Sequence, residues 1–402
     1  MKKLAFFGLL ILAIAIAYGG YFYWQNLRGI APAVSEPARD ITELVPRNSG
    51  AEPLVAQNST GMPLDLPVGF SISIFAKDLP LARMMHFDSS GNMWLSRTRA
   101  GAVALLEIKN GQVASQNDIF RGLSNPHGIA LDPVDPRVLY IAEENKISKA
   151  LLNTEAPLQK IADLPSGGGH STRTLLFGAD GRLYVSIGSS CNVCAEKDNR
   201  RAKIFSMNKD GSDFREFAKG LRNSVFLATN PRTQEIWATE MGRDLLGDNV
   251  PPEEVNVLKA GEDYGWPYCY DNNIHDDNFD PQKNVSCEGK TPPHIAFQAH
   301  SAPLGLTFVP ENSNWPAEYK NDLLVAYHGS WNRSVPTGYK IVRFELNEQG
   351  DVVGKEMDFI SNWLQGNEAL GRPVDLKFGP DGALYVSDDK AGVIYRVEYN
   401  GN

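Results

Sequence analysis

The sequence predicts an all-β fold, a six-bladed β-propeller preceded by an N-terminal transmembrane or signal-anchor helix, and three observations carry that expectation. A unit made of a polar lead, an apolar strand, a turn of Asp, Gly, Asn or Pro and a second apolar strand recurs six times. Beyond residue 66 the chain reads as short alternating apolar runs between turn residues, with no long amphipathic helical period. Ahead of this lies one uncharged run of membrane-crossing length.

That run extends from Leu4 to Trp24, 21 residues without a charge, which as a helix rising ~1.5 Å per residue spans about 30 Å. Lys2 and Lys3 would keep its start cytoplasmic, Tyr21, Tyr23 and Trp24 would mark the far interface, and the bulk of the chain would be exported. A cleavable signal ending at Ala15-Ile16-Ala17 is the alternative; the apolar run and its aromatic end continue past that site, which favours an anchor. Residues 1–24 are therefore read as the anchor or signal segment. Residues 25–65, with Pro32, Pro37, Pro46, Pro53 and Pro63, form a linker, and 66–402 the propeller. The expected location is periplasmic or extracytoplasmic, tethered to the inner membrane or secreted if the segment is cleaved.

Anchored at Phe87, Leu131, Phe177, Thr229, Phe308 and Phe378, the six copies are spaced 44, 46, 52, 79 and 70 residues apart. The early blades are near-minimal four-stranded sheets, and insertions after the fourth and fifth hairpins should enlarge one face, where functional loops gather. The four cysteines suit an oxidising compartment, and pairing near with near predicts Cys191–Cys194 and Cys269–Cys287 disulfides. Haem attachment would need His where Ala195 stands, and no His pair is spaced for zinc.

Formal charge is 39 − 48 = −9 with no basic run, which argues against a nucleic-acid partner. Yet the positions flanking each hairpin, which a propeller brings to one rim of its channel, are rich in cations. Before the first strands stand Arg83, His127, His170 with Arg173, Arg222 with Asn223, His300 and Arg372; after the second strands stand Arg97, Glu143, Ser189, Glu240 with Arg243, His328 through Arg333, and Asp388-Asp389. Arg residues converging in a concave site suit an anionic ligand; any single one could simply cap a strand or pair with a neighbouring carboxylate. His170, behind Gly167-Gly168-Gly169, is a candidate proton acceptor, with His127, His300 and His328 at similar phases. Neither a dinucleotide nor a Walker glycine pattern occurs, nor a G-x-S-x-G elbow. The loop from Glu240 to Pro267 gathers carboxylates, amides and Gly, chemistry suited to Ca²⁺ without EF-hand spacing, or to a solvated acidic loop.

In order along the chain, His170-Ser171-Thr172-Arg173, Gly220-Leu221-Arg222-Asn223, Glu254-Val255-Asn256 with Asp263-Tyr264-Gly265-Trp266-Pro267, and His328-Gly329-Ser330-Trp331-Asn332-Arg333 with Gly371-Arg372-Pro373 resemble the soluble quinoprotein glucose, aldose and sorbosone dehydrogenases. The resemblance covers Leu66 to Tyr399 and implies pyrroloquinoline quinone (PQQ) and Ca²⁺ as cofactors. It implies His170 as the base at the sugar's hydroxyl, Arg222 and Asn223 on the cofactor, and Arg372 and Arg333 as further cofactor-binding cations. Ca²⁺ would lie on the carbonyls of Gly242 and Arg243, with Glu253, Glu254 and Tyr264 near further Ca²⁺. Val374 and Gly169 stand where glucose dehydrogenases carry an Arg and an acidic residue, and with the anchor and the Cys191/Cys194 pair they place the chain nearer the sorbosone or aldose branch. The implied reaction is hydride transfer from an aldose or sorbosone-like sugar, with a cytochrome or quinone as electron acceptor. A Ca²⁺-dependent lactonase-like hydrolase and a non-catalytic binding propeller are the alternatives.

Overall fold

The computed structural model describes residues 2–36, 56–154 and 156–401. Pro37, Pro46 and Pro53 of the linker, and the side chains of Lys2 and Lys3, lie outside the described residues. Six four-stranded antiparallel blades follow one another around a channel, each with its innermost strand first in sequence, and the two inner strands of each blade are those of one of the six hairpins. The four strands of blade 1, from the inside out, are Ala82–Phe87, Met93–Arg97, Ala102–Lys109 and Gln112–Phe120.

The burial of each strand follows from its place in a blade. Second strands such as Leu183–Ile187 and Leu323–Tyr327 are buried at every residue, because a blade lies between two neighbours and its central strands bury both faces. Outer strands face water on one side, and Gln112–Phe120 alternates between partly buried and exposed positions. Aromatic and aliphatic side chains fill the space between blades, among them Trp94, Ile129, Phe226, Trp237, Phe308 and Val374.

A recurring serine shows how the repeat is written into the sequence. Ser96, Ser186 and Ser387 stand on the second strands of blades 1, 3 and 6, and their hydroxyls accept hydrogen bonds from the amides of Met84, Thr174 and Asp375 at 3.0, 3.1 and 3.0 Å. In blades 1 and 6 that amide falls where the ladder shifts register, so the hydroxyl satisfies a donor that the partner strand does not.

The ring closes with a strand from the other end of the domain. Phe70–Ala76 pairs antiparallel with the C-terminal strand Val393–Tyr399 and becomes the fourth strand of blade 6. Gln57–Asn58 adds a parallel fifth strand, and Met62 and Leu64 enter the core beside Phe70, so the end of the Pro-rich stretch is packed rather than free. The N-terminal helix runs Lys2–Asn26, with Phe6–Asn26 apolar enough to cross a membrane, and is followed by a helical turn at Ala31–Val34.

The insertions lie inside blades 4 and 5. Blade 4 carries residues 259–294 between its third strand, Glu253–Leu258, and its outer strand, Ile295–Phe297. Both predicted disulfides form, Cys269–Cys287 tying this insertion and Cys191–Cys194 a loop of blade 3.

Candidate active site

Residues before the first strands and after the second strands meet at one end of the channel. A cavity of about 220 Å³ there is lined by His170, Arg222, Asn223, Gly242, Glu253 and Arg372, together with Asp244, His300, His328 and Trp331. Six of the ten residues singled out from sequence therefore come together. Arg243, Glu254 and Tyr264 line a smaller adjoining cavity of about 30 Å³ under the blade 4 loop. Arg333 points away from both: its Nε donates to the Asp248 carbonyl at 2.8 Å and its Nη2 to Asn249 Oδ1 at 3.0 Å. The acidic loop it meets holds that guanidinium outside the pocket.

The position of His170 follows from the glycines before it. Gly168 has φ +91° and passes so close to Ser190 that a Cβ would lie 2.7 Å from its backbone, a path open only to glycine. His170 Nδ1 then lies 2.9 Å from both the carbonyl and the hydroxyl of Ser189, and that hydroxyl donates to the Cys191 carbonyl at 2.7 Å. A carbonyl only accepts, so Nδ1 carries the proton and Nε2 is left as a bare acceptor. Burial, and then the charge of Arg222, pull the imidazole down to about 3, which keeps it neutral across the physiological range.

Arg222 is the most heavily constrained cation. Its Nε donates to the Asn192 carbonyl at 2.8 Å, its Nη2 to Asn192 Oδ1 at 2.9 Å and Asp244 Oδ2 at 2.8 Å, and its Nη1 to the Gly242 carbonyl at 2.8 Å. Arg372 is looser: Nε and Nη2 donate to the carbonyls of His328 and Gly329 at 2.9 and 2.6 Å, and Nη1 has no hydrogen bond among the described residues. The Asn223 side chain donates only to Met241 Sδ, at 3.4 Å, and its Oδ1 accepts no hydrogen bond among the described residues. His328 bonds Asp389 at 2.8 Å, and Arg83 pairs with the same carboxylate, so part of the rim charge is neutralised internally.

Three buried glutamates back the site. Glu253 accepts from the Gly242 amide at 2.8 Å and the Ala302 amide at 3.3 Å, Glu240 from the Asn223 amide at 2.6 Å, and Glu254 from Asn256 and the Asp271 amide. Burial raises all three, Glu240 and Glu253 to about 8 and Glu254 to about 7. Tyr264 donates to the Val257 carbonyl at 2.6 Å and accepts from the Lys259 amide, which makes it a packing residue of the blade.

Sequence reading passed over Asn192 and gave Trp331 no role. Asn192 sits inside the Cys-x-x-Cys loop, which reads as a staple, and nothing in the spacing signals that it grips an Arg 30 residues away. Trp331 stands 39% exposed at the mouth, a flat apolar face beside polar groups.

A family model described as TrAA12-like matches residues 64–400. An uncharacterized protein of Borreliella burgdorferi is 32% identical over 361 residues, covering 84% of this chain and 91% of its own length. A pyrroloquinoline quinone-dependent sugar dehydrogenase of Hypocrea jecorina is 24% identical over 398 residues, covering 83% of this chain and 89% of its own. Among solved structures, a Trichoderma reesei carbohydrate-active enzyme of family AA12 shares the fold with a TM-score of 0.73 at 22% identity, covering 84% of this chain and 98% of its own.

Proposed function

The chain belongs to the TrAA12-like family, and from that premise we propose that it is a quinoprotein dehydrogenase, using PQQ to oxidise a sugar at a C–OH carbon and held at a membrane by its N-terminal helix. The observation that carries this reading is a neutral imidazole with a bare Nε2, in a cavity it shares with Arg222, Asn223 and Arg372.

The residues present fit PQQ, a planar tricarboxylate. Arg372 Nη1, without a hydrogen bond among the described residues, and the Asn223 side-chain amide, bonded only to Met241 Sδ, would hold its oxygens, with Arg222 adding charge. PQQ, when bound, supplies the acceptor for the hydride. The chain's own contribution is placement and proton transfer. His170 Nε2 takes the hydroxyl proton of the sugar, while Ser189 fixes the ring through Nδ1. Carboxylates brought to the arginines would offset the electrostatic part of what lowers His170, the part that comes second to burial. Trp331, which lines the cavity and is partly exposed, would offer its face to the sugar ring.

Ca²⁺ fits less well. The Gly242 carbonyl already accepts from Arg222, a cation of the chain itself, and Glu253 is satisfied by two amides. The hydrolase alternative calls for a cluster of carboxylates around a metal. Among the described residues the one group of three potential metal ligands is Cys191, Cys194 and Glu196, which holds a single carboxylate and whose cysteines are joined in a disulfide.

The test is to titrate the full-length chain in detergent with PQQ, with and without Ca²⁺, and follow dye reduction over a panel of aldoses and pyranoses. One PQQ bound per chain and sugar-dependent dye reduction are expected. Failure to bind PQQ, or binding with no sugar oxidised, would overturn the proposal.

A further inference from the structure

We propose that the cleft between the N-terminal helix and the 245–247 loop binds a membrane quinone, which takes up the electrons withdrawn from the sugar; the redox role rests on the sugar-oxidising reading above. The helix does not stand off from the propeller. Tyr18, Tyr21, Phe22 and Gln25 on the helix and Leu245 and Leu246 on the loop line a cleft of about 370 Å³.

Contacts beyond the helix pin its end to the same rim. Arg28 Nε donates to the Ser334 carbonyl at 3.3 Å and its guanidinium lies 4.0 Å from the centre of the Trp24 ring. Gly29 abuts the Arg333 carbonyl so closely that a Cβ would overlap it, and Lys390 Nζ donates to the Ser35 carbonyl at 2.6 Å. The segment 27–36 therefore crosses the pocket-bearing face over blades 5 and 6.

This docking sets the depth of the loop. With Phe6–Asn26 spanning the bilayer, Tyr18 lies eight residues from the outer end, about 12 Å at ~1.5 Å per residue. A loop packed beside Tyr18 and Tyr21 then reaches below the headgroups into the outer leaflet. The exposed side chains of this rim are of the kind found there, with Leu245, Val250, Trp331 and Val335 all open to solvent.

One wall separates the cleft from the active-site cavity. Asp244 lines the cavity and the next residues, Leu245 and Leu246, line the cleft. His300, on the cavity side, donates from Nε2 to the Gly247 carbonyl at 2.7 Å.

The lining selects the occupant. Three aromatic rings and two leucines suit a planar ring with an isoprenoid tail. The Gln25 side chain has no hydrogen-bond partner among the described residues, so its amide is free to donate to a ring carbonyl. Among the described residues no Lys, Arg, Asp or Glu lines the cleft, which disfavours a charged lipid headgroup. The chemistry balances: oxidation of a sugar C–OH to C=O releases two electrons and two protons, and a quinone consumes both pairs as its two carbonyls become quinol hydroxyls.

The full-length chain in phosphatidylcholine nanodiscs, with its intact mass checked, is titrated with decylubiquinone. Quenching of Trp24 fluorescence is read as the difference between the protein and its Trp24→Phe variant, which needs neither cofactor nor activity. Saturable quenching is expected, weakened at least tenfold in the double variant Tyr21→Ala, Leu245→Glu and little changed in Leu245→Met. With cofactor and sugar, the double variant should lose at least tenfold in quinone-coupled oxidation and stay within twofold in dye-coupled oxidation. Quenching that only tracks partition into lipid, quinone and dye rates that fall together, or a mature chain lacking the helix would each overturn the proposal. Saturable quenching without any dye-coupled oxidation would sustain the binding site and sink the sugar-oxidising reading instead.

Discussion

At the scale of the residue, the site depends on which nitrogen of His170 carries the proton. Ser189 decides that, because its carbonyl accepts from Nδ1 and its hydroxyl proton is committed to Cys191. His170→Asn keeps a side chain of similar reach that can still donate to Ser189 but removes the base. The expected result is a 10²- to 10⁴-fold loss in kcat, the usual contribution of a positioned general base, with PQQ affinity changed less than threefold; a loss below tenfold would assign proton removal to another group. His170 was visible in the sequence as one of four histidines at the same phase of the repeat, and only geometry separates them. His300 is committed to the Gly247 carbonyl, His328 to Asp389, and His127 lies fully buried against Thr174.

The two disulfides show how differently one kind of element can serve. Cys269–Cys287 closes a chain separation of 18 residues in the blade 4 insertion, and Cys191–Cys194 a separation of 3. Loop-closure entropy assigns about 3 kcal/mol to the first and about 2 kcal/mol to the second. Function should follow the opposite order. The short loop carries Asn192, which holds Arg222 through two oxygens, and it receives the Ser189 hydroxyl that steadies His170. The Cys191→Ser, Cys194→Ser variant should therefore lose about tenfold in kcat/KM with a modest fall in Tm, and the Cys269→Ser, Cys287→Ser variant should lose more Tm and keep kcat/KM within about threefold. Calorimetry beside initial rates decides between them, and equal losses of activity would remove the positioning role of the short loop. The hairpins and both pairings were legible in the sequence because they are local patterns of alternation and spacing. The grip of Asn192 on Arg222 was not, since it joins loops of neighbouring blades.

For the whole molecule, acid and alkaline stability are set by what the ring buries. Burial, with nearby Lys377, Arg83 and Arg372 respectively, lowers His86 to about 3, His127 well below its ordinary value and His328 to about 4, and His170 is lowered likewise. Their unfolded value of 6.5 lies above these, so the unfolded chain takes up protons first and stability is lost as pH falls from 6.5 through the folded values. Burial raises Glu240 and Glu253 to about 8, Glu254 and Asp375 to about 7 and Asp388 to about 6, and these groups lose stability as pH rises from about 4 through those values. The two sets oppose each other between about pH 4.5 and 6.5, so Tm should be nearly flat there, fall toward pH 3.5 and fall again toward pH 8. A Tm that climbs steadily through pH 8 would contradict this. By itself the sequence determined the all-β repeat, the six hairpins, the disulfide pairs, the apolar N-terminal span and the cations at one rim, because each is a short-range pattern or a consequence of repeat phase. Tertiary structure decided the rest: closure of the ring by Phe70–Ala76, exclusion of Arg333 from the pocket, placement of Arg222 on the Gly242 carbonyl, and docking of the helix beside the mouth. Each of these joins residues from distant parts of the chain, and partners at that distance are chosen by packing and by the need to satisfy buried polar groups, neither of which leaves a local mark in the sequence.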